Sequence, residues 1–414
     1  MSDSVRRWPL LLGGAGLVML AALPLLPWSD NGRTPHSLHV LVTVPNERRL
    51  STELIEDLRS VMATLLAGLH NTQPDLAIQM LVFHEQDVQG ELERRNRSGM
   101  GPDVLYTNAQ LAFQLQRQGL TEPLQPSRRL TGDLEPDVVR SLQLEDGRLV
   151  GLPVLLHPQL ACFDRRRIPS SPRRIEALLE NPRWRVGLPL ETINLIWTLG
   201  SISGLSGLEA ITRPNADETV SRPALRRWLS WLTAAEQSTS VTFFASQQDL
   251  QEKLPRGELD WISCRSDSIH GLRRRMGARL GLAPLPAGPG GQASPLARTR
   301  VFSLGVNSSR QQRLLSESLL QLLSNRSGQH RIGMQLSGAM PVNTSVQLPQ
   351  NGTIQAIRQG QEQTNRMKSL QAQLRQLDSK LPMSDGILAS LIYGEVDVEE
   401  TADRMLQLMR EPRP

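Results

Sequence analysis

The chain has 414 residues, 39% hydrophobic and 21% charged, enough apolar content for two or three packed domains. Its net charge of +5 is carried almost wholly by arginine, since lysine occurs only at Lys253, Lys368 and Lys380. The cations are interleaved with acids and aromatic residues make up 4%, so the clustered cations and stacking rings of a nucleic-acid groove are missing.

The amino end reads "MSDSVRR" and then "WPLLLGGAGLVMLAALPLLPW" (Trp8–Trp28) without a charge. As a helix this run is about 30 Å long, the thickness of a bilayer core. Arg6 and Arg7 would hold the amino end in the cytoplasm, with Trp8 and Trp28 at the interfaces. An uncleaved membrane anchor is expected, with a cleaved signal peptide as the alternative. Either places the rest of the chain outside the cytoplasm, in the periplasm. Residues 1–35 are therefore set apart as anchor or signal segment and linker.

After the polar linker, "LHVLVTV" (38–44) is a short β-branched strand. Ser51 caps a helix whose apolar face carries Leu54, Leu58, Met62 and Leu65. "LAIQMLVF" (76–83) and "PDVLYTN" (102–108) are strands, and "AQLAFQLQRQG" is a helix ended by Gly119. This alternation predicts an α/β region with a mostly parallel sheet. The stretch "EDGRLVGLPVLLHPQLACFDRRRIP" (145–169) is an apolar run broken by Pro153 and by His157-Pro158. A buried strand rarely tolerates such breaks, because proline removes a ladder donor. It is expected to pass between two lobes beside a cleft, entering the second at Pro153. "SPRRIEALLE" is predicted as a helix capped by Ser171, with Pro172 at its first position. "WRVGLPL" is a strand, and "NLIWTLGSISG" is helical up to its glycines. "RPALRRWLSWLTAAEQ" is a helix burying Leu225, Trp228, Leu229 and Leu232. "ELDWISCR" and "RVFSLGV" are strands, and Ser308 or Ser309 caps a long amphipathic helix after the second. From 351 on, the chain is Gln/Arg-rich and helical, split by Pro382.

Cys162 and Cys264 both lie in apolar, strand-like segments. Outside the cytoplasm they could pair, or they could pack as two buried thiols. No Cys/His spacing suggests a metal site, and no cofactor motif is present. A G-x-S-x-G nucleophile, an H-E-x-x-H pair and a phosphate loop are all missing, so enzyme chemistry is not expected.

Several segments, taken in order, resemble the extracellular solute-binding proteins of ABC importers, the maltose-binding-like type. "GPDVLYTNAQLAFQLQRQGLTEPLQP" resembles the strand that ends at their cleft, followed by a helix and "G-L-x-x-P-L". The 145–180 stretch resembles their crossing strand, with its D-G turn, G-x-P and the Phe163-Asp164 pair. "GELDWISCRSD", "LGLAPLPAGPGG", "RVFSLGVNSSRQQRLLSESLLQLLSNRSGQ" and "LASLIYGEVDVEETADRMLQLM" are similar to later family segments, over roughly residues 38–410. The resemblance implies a two-lobed periplasmic-binding-protein fold (type II), α/β in each lobe. Lobe 1 would be 36–152 plus 301–350, lobe 2 153–300, and 351–414 a C-terminal helical segment packing on the lobes. It implies a subunit that closes on a small-molecule solute and docks on separate ABC permease chains. The alternative is a tethered sensor or scaffold that keeps the fold with a degenerate cleft.

By position within that resemblance, the ligand candidates are Thr107, Asn108, His157, Thr192, Asn194, Arg265, Asp267 and Arg300. Polar residues at the carboxyl ends of strands line the crevice of open α/β sheets. Helix capping is the competing role for Thr192 and Asn194. The chain departs from the sugar-binding pattern where rings are usual: Thr107, Ile193 and Asp267 stand there. Arg265, Arg298 and Arg300 with His157 would instead give a cationic cleft, which predicts an anionic or strongly polar solute held by bidentate arginines.

Overall fold

The computed structural model describes residues 37–46, 50–70, 76–213, 217–335, 338–367, 370 and 380–410. The proposed anchor, with Arg6, Arg7 and Trp8–Trp28, lies outside them. Among the described residues no helix is long and apolar enough to cross a membrane.

Two mixed sheets organise these residues. Strands β1 (Ser37–Val44), β2 (Ala77–His84) and β3 (Val104–Asn108) pair in parallel around a central β1. The short β4 (Thr121–Glu122), β5 (Leu152–His157), β11 (Arg298–Gly305) and β12 (Met340–Pro341) join antiparallel, giving the order β12-β5-β11-β3-β1-β2 with β4 on β11. The second sheet has the order β10-β6-β9-β7-β8, from β6 (Gln159–Asp164), β7 (Val186–Pro189), β8 (Val241–Phe244), β9 (Trp261–Arg265) and β10 (Leu280–Ala283). In the second sheet β7 runs parallel to β8 and β9.

β5 ends at His157 in the first sheet and β6 begins at Gln159 in the second, so the chain changes lobes at Pro158. The crossing expected at Pro153 is thereby corrected. Pro153 lies inside β5, opposite Val301, where the register shifts against Arg300–Leu155. A bulge is where a strand can absorb a residue with no N–H to give. The chain returns to the first sheet between β10 and β11, and leaves it again after β12.

Each lobe has its own cores. In lobe 1 one face of the sheet buries Val40, Val42, Val104 and Phe302 against Leu315, Leu319 and Leu323 of the helix Arg310–Ser324. Its other face packs Leu41 and Leu105 on Leu92, Leu111 and Leu115. That strands bury both faces explains their near-continuous apolar runs. Ser309 caps Arg310–Ser324 with a reciprocal Ser309–Gln312 box. In lobe 2, Leu225, Trp228, Leu229 and Leu232 are buried together with Trp197 and Trp261. The C-terminal helices Leu381–Ile392 and Val398–Arg410 supply Leu388, Leu391, Met405 and Leu406 to that same core, so they complete lobe 2. The helical region after 351 is divided as expected near Pro382, which sits in the first turn of the helix Leu381–Ile392, where proline is tolerated.

The helix expected over 171–180 forms only at Ala177–Glu180. Upstream, Ile175 N–H donates to Ala287 O and Ala287 N–H to Arg173 O, so the backbone is held in strand-like pairing. Ser171 instead accepts a bond from the Trp261 indole at 3.0 Å. The helix that begins at Trp197 runs through Gly200 and breaks at Gly204, the second of the glycines expected to end it, where φ is +75° and ψ is 171°; a further helical segment then runs to Thr212.

Candidate solute-binding cleft

The carboxyl ends of β1, β2, β3 and β5 point to one rim of lobe 1 and deliver Pro45, Glu85, Asn108 and His157. Those of β7, β8 and β9 deliver Glu191–Asn194, Gln247 and Arg265 from lobe 2. Between these rims lies a cavity of about 200 Å³. Lobe 1 contributes Glu85, Asn108, Gln110, Phe113, Leu156 and Arg298 to its lining, and lobe 2 contributes Ile193 and Arg265. Gln361, Thr364, Asn365 and Met367 line it from the C-terminal part of the chain. These four follow Gly360, which brings its helix close to β6: a Cβ there would stand 2.8 Å from the Gln159 carbonyl oxygen. A smaller recess of about 30 Å³ adjoins through Arg265 and Arg298, lined also by Asn194, Gln247, Gln251, Asp267 and Ser268.

Of the expected ligand residues, Asn108, Arg265, Asp267 and Asn194 line one of the two spaces. Asn108 is also the cap of the helix Ala109–Arg117, accepting from Leu111 N–H at 2.8 Å. Asn194 Oδ1 accepts from Arg265, and its Nδ2 donates to Glu191 Oε2 at 2.5 Å. Thr107, Thr192, His157 and Arg300 are buried and lie off the lining of both spaces. Thr107 accepts from Thr43 Oγ1 at 3.0 Å. Thr192 bonds through its N–H to Asp385 Oδ1 at 2.7 Å and through its hydroxyl to Ser384. This ties the rim of lobe 2 to the C-terminal helix.

Arg300 is enclosed. Its Nη1 donates to Glu85 Oε1 at 2.7 Å and its Nη2 to Thr43 O at 2.5 Å, with the guanidinium 4.5 Å from the Tyr106 ring centroid. Burial alone would raise the Glu85 carboxyl. Arg298 and Arg300, with hydrogen bonds from Asn108 and Arg300, overcome it and hold that carboxyl below its usual range. Arg298 Nη1 lies 4.0 Å from Asp267 Oδ2, across the cleft. His157 faces Ser266 Oγ at 3.4 Å. Burial lowers its pKa to about 4; Asp267 opposes that shift and Arg300, Arg298 and Arg265 reinforce it, so the ring is neutral at pH 7. The cationic cleft expected from sequence is therefore countered by Glu85 and Asp267 within the same site. At the outer edge, Arg274 of lobe 2 meets Asp57 of lobe 1 at 3.4 Å.

Cys162 and Cys264 form a disulfide between β6 and β9, with Cα atoms 5.8 Å apart. It fixes β6, which begins at Gln159 just after the crossing, to β9, which carries Arg265 to the cleft. Among the described residues no group of His, Cys, Asp and Glu is arranged to hold a metal ion.

Sequence reasoning did not find Phe113, Gln361, Thr364, Asn365 or Met367. The usable signal was the i, i+3, i+4 spacing of Gln361, Thr364 and Asn365, which puts them on one helical face.

No protein-family model matches the chain, and no curated protein does. Solved structures do. The GacH receptor of Streptomyces glaucescens, studied unliganded and with acarbose, is 16% identical with a TM-score of 0.69, over 91% of this chain and 100% of that one. The maltodextrin-binding protein MalE1 of L. casei BL23 is 12% identical at TM-score 0.68, over 91% and 99%. The maltose/maltodextrin-binding domain MalE of Bdellovibrio bacteriovorus, bound to maltotriose, is 13% identical at 0.67, over 90% and 98%. With two sheets, a crossing at Pro158 and a cavity between the strand ends, the chain has the two-lobed α/β fold of the maltose-binding type of solute-binding proteins.

Proposed function

We propose that the chain is an extracytoplasmic solute-binding protein that closes two lobes around a small solute and delivers it to the permease of an ABC importer. The observation that carries this reading is the cavity itself: residues of both lobes line it, at the carboxyl ends of both sheets, beside the hinge at Pro158. Ligand held between two such walls favours the closed state by its contacts with both. The binding of maltotriose and acarbose by proteins of the same fold supports a solute as the ligand. The chain performs no chemistry in this role. Residues 8–28 would tether it to the periplasmic face of the inner membrane, or be removed on export.

The test is a thermal-shift screen of neutral sugars, sugar acids, phosphorylated polyols and osmolytes, followed by small-angle scattering with any hit. A ligand of the folded state at a hundredfold excess over Kd adds about 2.7 kcal/mol of stability. A raised Tm with a smaller radius of gyration is the expected result. A broad panel with neither effect would leave the scaffold reading, in which the fold is kept without a working cleft.

A further inference from the structure

The cavity is built in two parts of different chemistry. The larger is walled mainly by carbon: Phe113, Val138, Leu156, Ile193, Leu296 and Met367. The smaller recess is polar, with Asn194, Gln247, Gln251, Asp267 and Ser268. About 30 Å³ is room for one water-sized group. Arg265 and Arg298 stand where the two meet.

One buried hydrogen-bonding group left over in the recess is an acceptor. Gln247 is 4% exposed, and its Nε2 donates to the Ser263 carbonyl oxygen. A carbonyl cannot donate, so that bond fixes the amide orientation and assigns the oxygen to the other side. Gln247 Oε1 has no partner among the described residues. A buried acceptor without a donor carries an uncompensated desolvation cost, so a ligand that brings donors gains where one that brings only acceptors does not. A carboxylate or phosphate brings acceptors only. Of the arginines at the site, Arg300 is matched by Glu85, Arg298 faces Asp267, and Arg265 donates to the neutral Asn194.

Resting on the solute-binding reading above, we propose that the ligand is an uncharged amphiphile, with an apolar body against Phe113 and Met367 and hydroxyl donors directed to Gln247 and the recess. A plain oligosaccharide leaves the apolar wall uncovered, and an organic anion brings no donor to Gln247 Oε1.

The experiment is calorimetric titration of the full chain in lipid nanodiscs, with empty discs as reference, using hexyl β-D-glucoside, methyl β-D-glucoside, maltotriose and hexanoate. Hexyl glucoside is expected to bind at least tenfold more tightly than the other three. Phe113→Ser should remove about tenfold of that preference without changing methyl glucoside binding, and Phe113→Leu should restore most of it. Tighter binding of maltotriose or hexanoate overturns the ligand class while leaving the solute-binding role intact. Equal affinity for hexyl and methyl glucoside overturns the apolar body. Binding by none of the four, and by nothing in the wider panel, overturns both.

Discussion

Arg300 and Glu85 form a nearly enclosed ion pair beneath the cleft floor, with side chains 6% and 11% exposed and Nη1 to Oε1 at 2.7 Å. Arg300 belongs to β11 and Glu85 follows β2, so the pair spans the lobe 1 sheet behind Asn108. Removing one partner leaves an uncompensated buried charge, which costs about 3–5 kcal/mol. Glu85→Gln is therefore expected to lower the unfolding free energy by about that much. The double change Glu85→Gln with Arg300→Met should cost less than the single one, because no buried cation remains. Chemical denaturation of the two variants checks this; additive losses would show that the residues do not act as a pair.

His157 sets an acid limit. In the unfolded chain its ring takes a proton near pH 6.5, whereas in the fold it does so only near 4. Between these values the unfolded state binds more protons, so stability falls as pH falls from about 6.5 to about 4. The full span amounts to about 3 kcal/mol. Glu85 acts in the same direction lower down: its depressed carboxyl contributes stability above the unfolded carboxylate pKa, lost as pH drops through the folded value. Denaturation midpoints measured from pH 7.5 to 4.5 should decline in the wild type and flatten in His157→Gln. Parallel slopes in both proteins would remove His157 as the source.

The disulfide closes a long loop, the two cysteines being 102 residues apart. Chain-entropy arguments give about 4–5 kcal/mol for a loop of that length, although native bonds commonly return about 2–5. The paired Cys162→Ala, Cys264→Ala variant should lose stability in that range, and reductant should do the same to the wild type. Reductant that leaves the denaturation curve unmoved would mean that the two thiols stay unpaired in the protein.

How far the fold was legible follows from which signals are local. The parallel β1–β3 unit and the helices around it show as apolar runs between caps, since Ser51, Ser309 and their helices are neighbours in sequence. The crossing was placed one proline too early because Pro153 and Pro158 look alike along the chain. Only the register against Val301 shows that the first is absorbed by a bulge. In sequence Arg300 reads as a ligand cation, because its partners Glu85 and Thr43 are 215 and 257 residues away. Gln361, Thr364 and Asn365 were passed over as part of a polar helix. Their facing follows from Ile354 and Ile357, which lie on the same stripe of that helix at i and i+3 with Gln361 at i+7, and are buried with Leu160 and Leu280 of lobe 2. The cleft is a product of those distant packings, whereas the strands are not.

The same logic predicts the role of the C-terminal helices. Leu381, Leu388, Leu391, Ile392, Met405, Leu406 and Met409 are all in the lobe 2 core with Trp197, Trp228 and Leu232. Each such side chain contributes about 1.5–3 kcal/mol by burial. Together they come to about 10–20 kcal/mol, as large as the 5–15 kcal/mol that separates a typical fold from its unfolded state. The rim also depends on them, because Asp385 holds the Thr192 N–H and Ser384 its hydroxyl. A chain ending after residue 370 is therefore expected to lose cooperative unfolding in lobe 2, while the lobe 1 sheet keeps its own cores. Hydrogen exchange would show protection lost across β6–β10 and retained in β1, β3 and β11. Full protection of β7 and β9 in the truncated chain would mean that lobe 2 stands without the helices, which would then be an appendage to the fold.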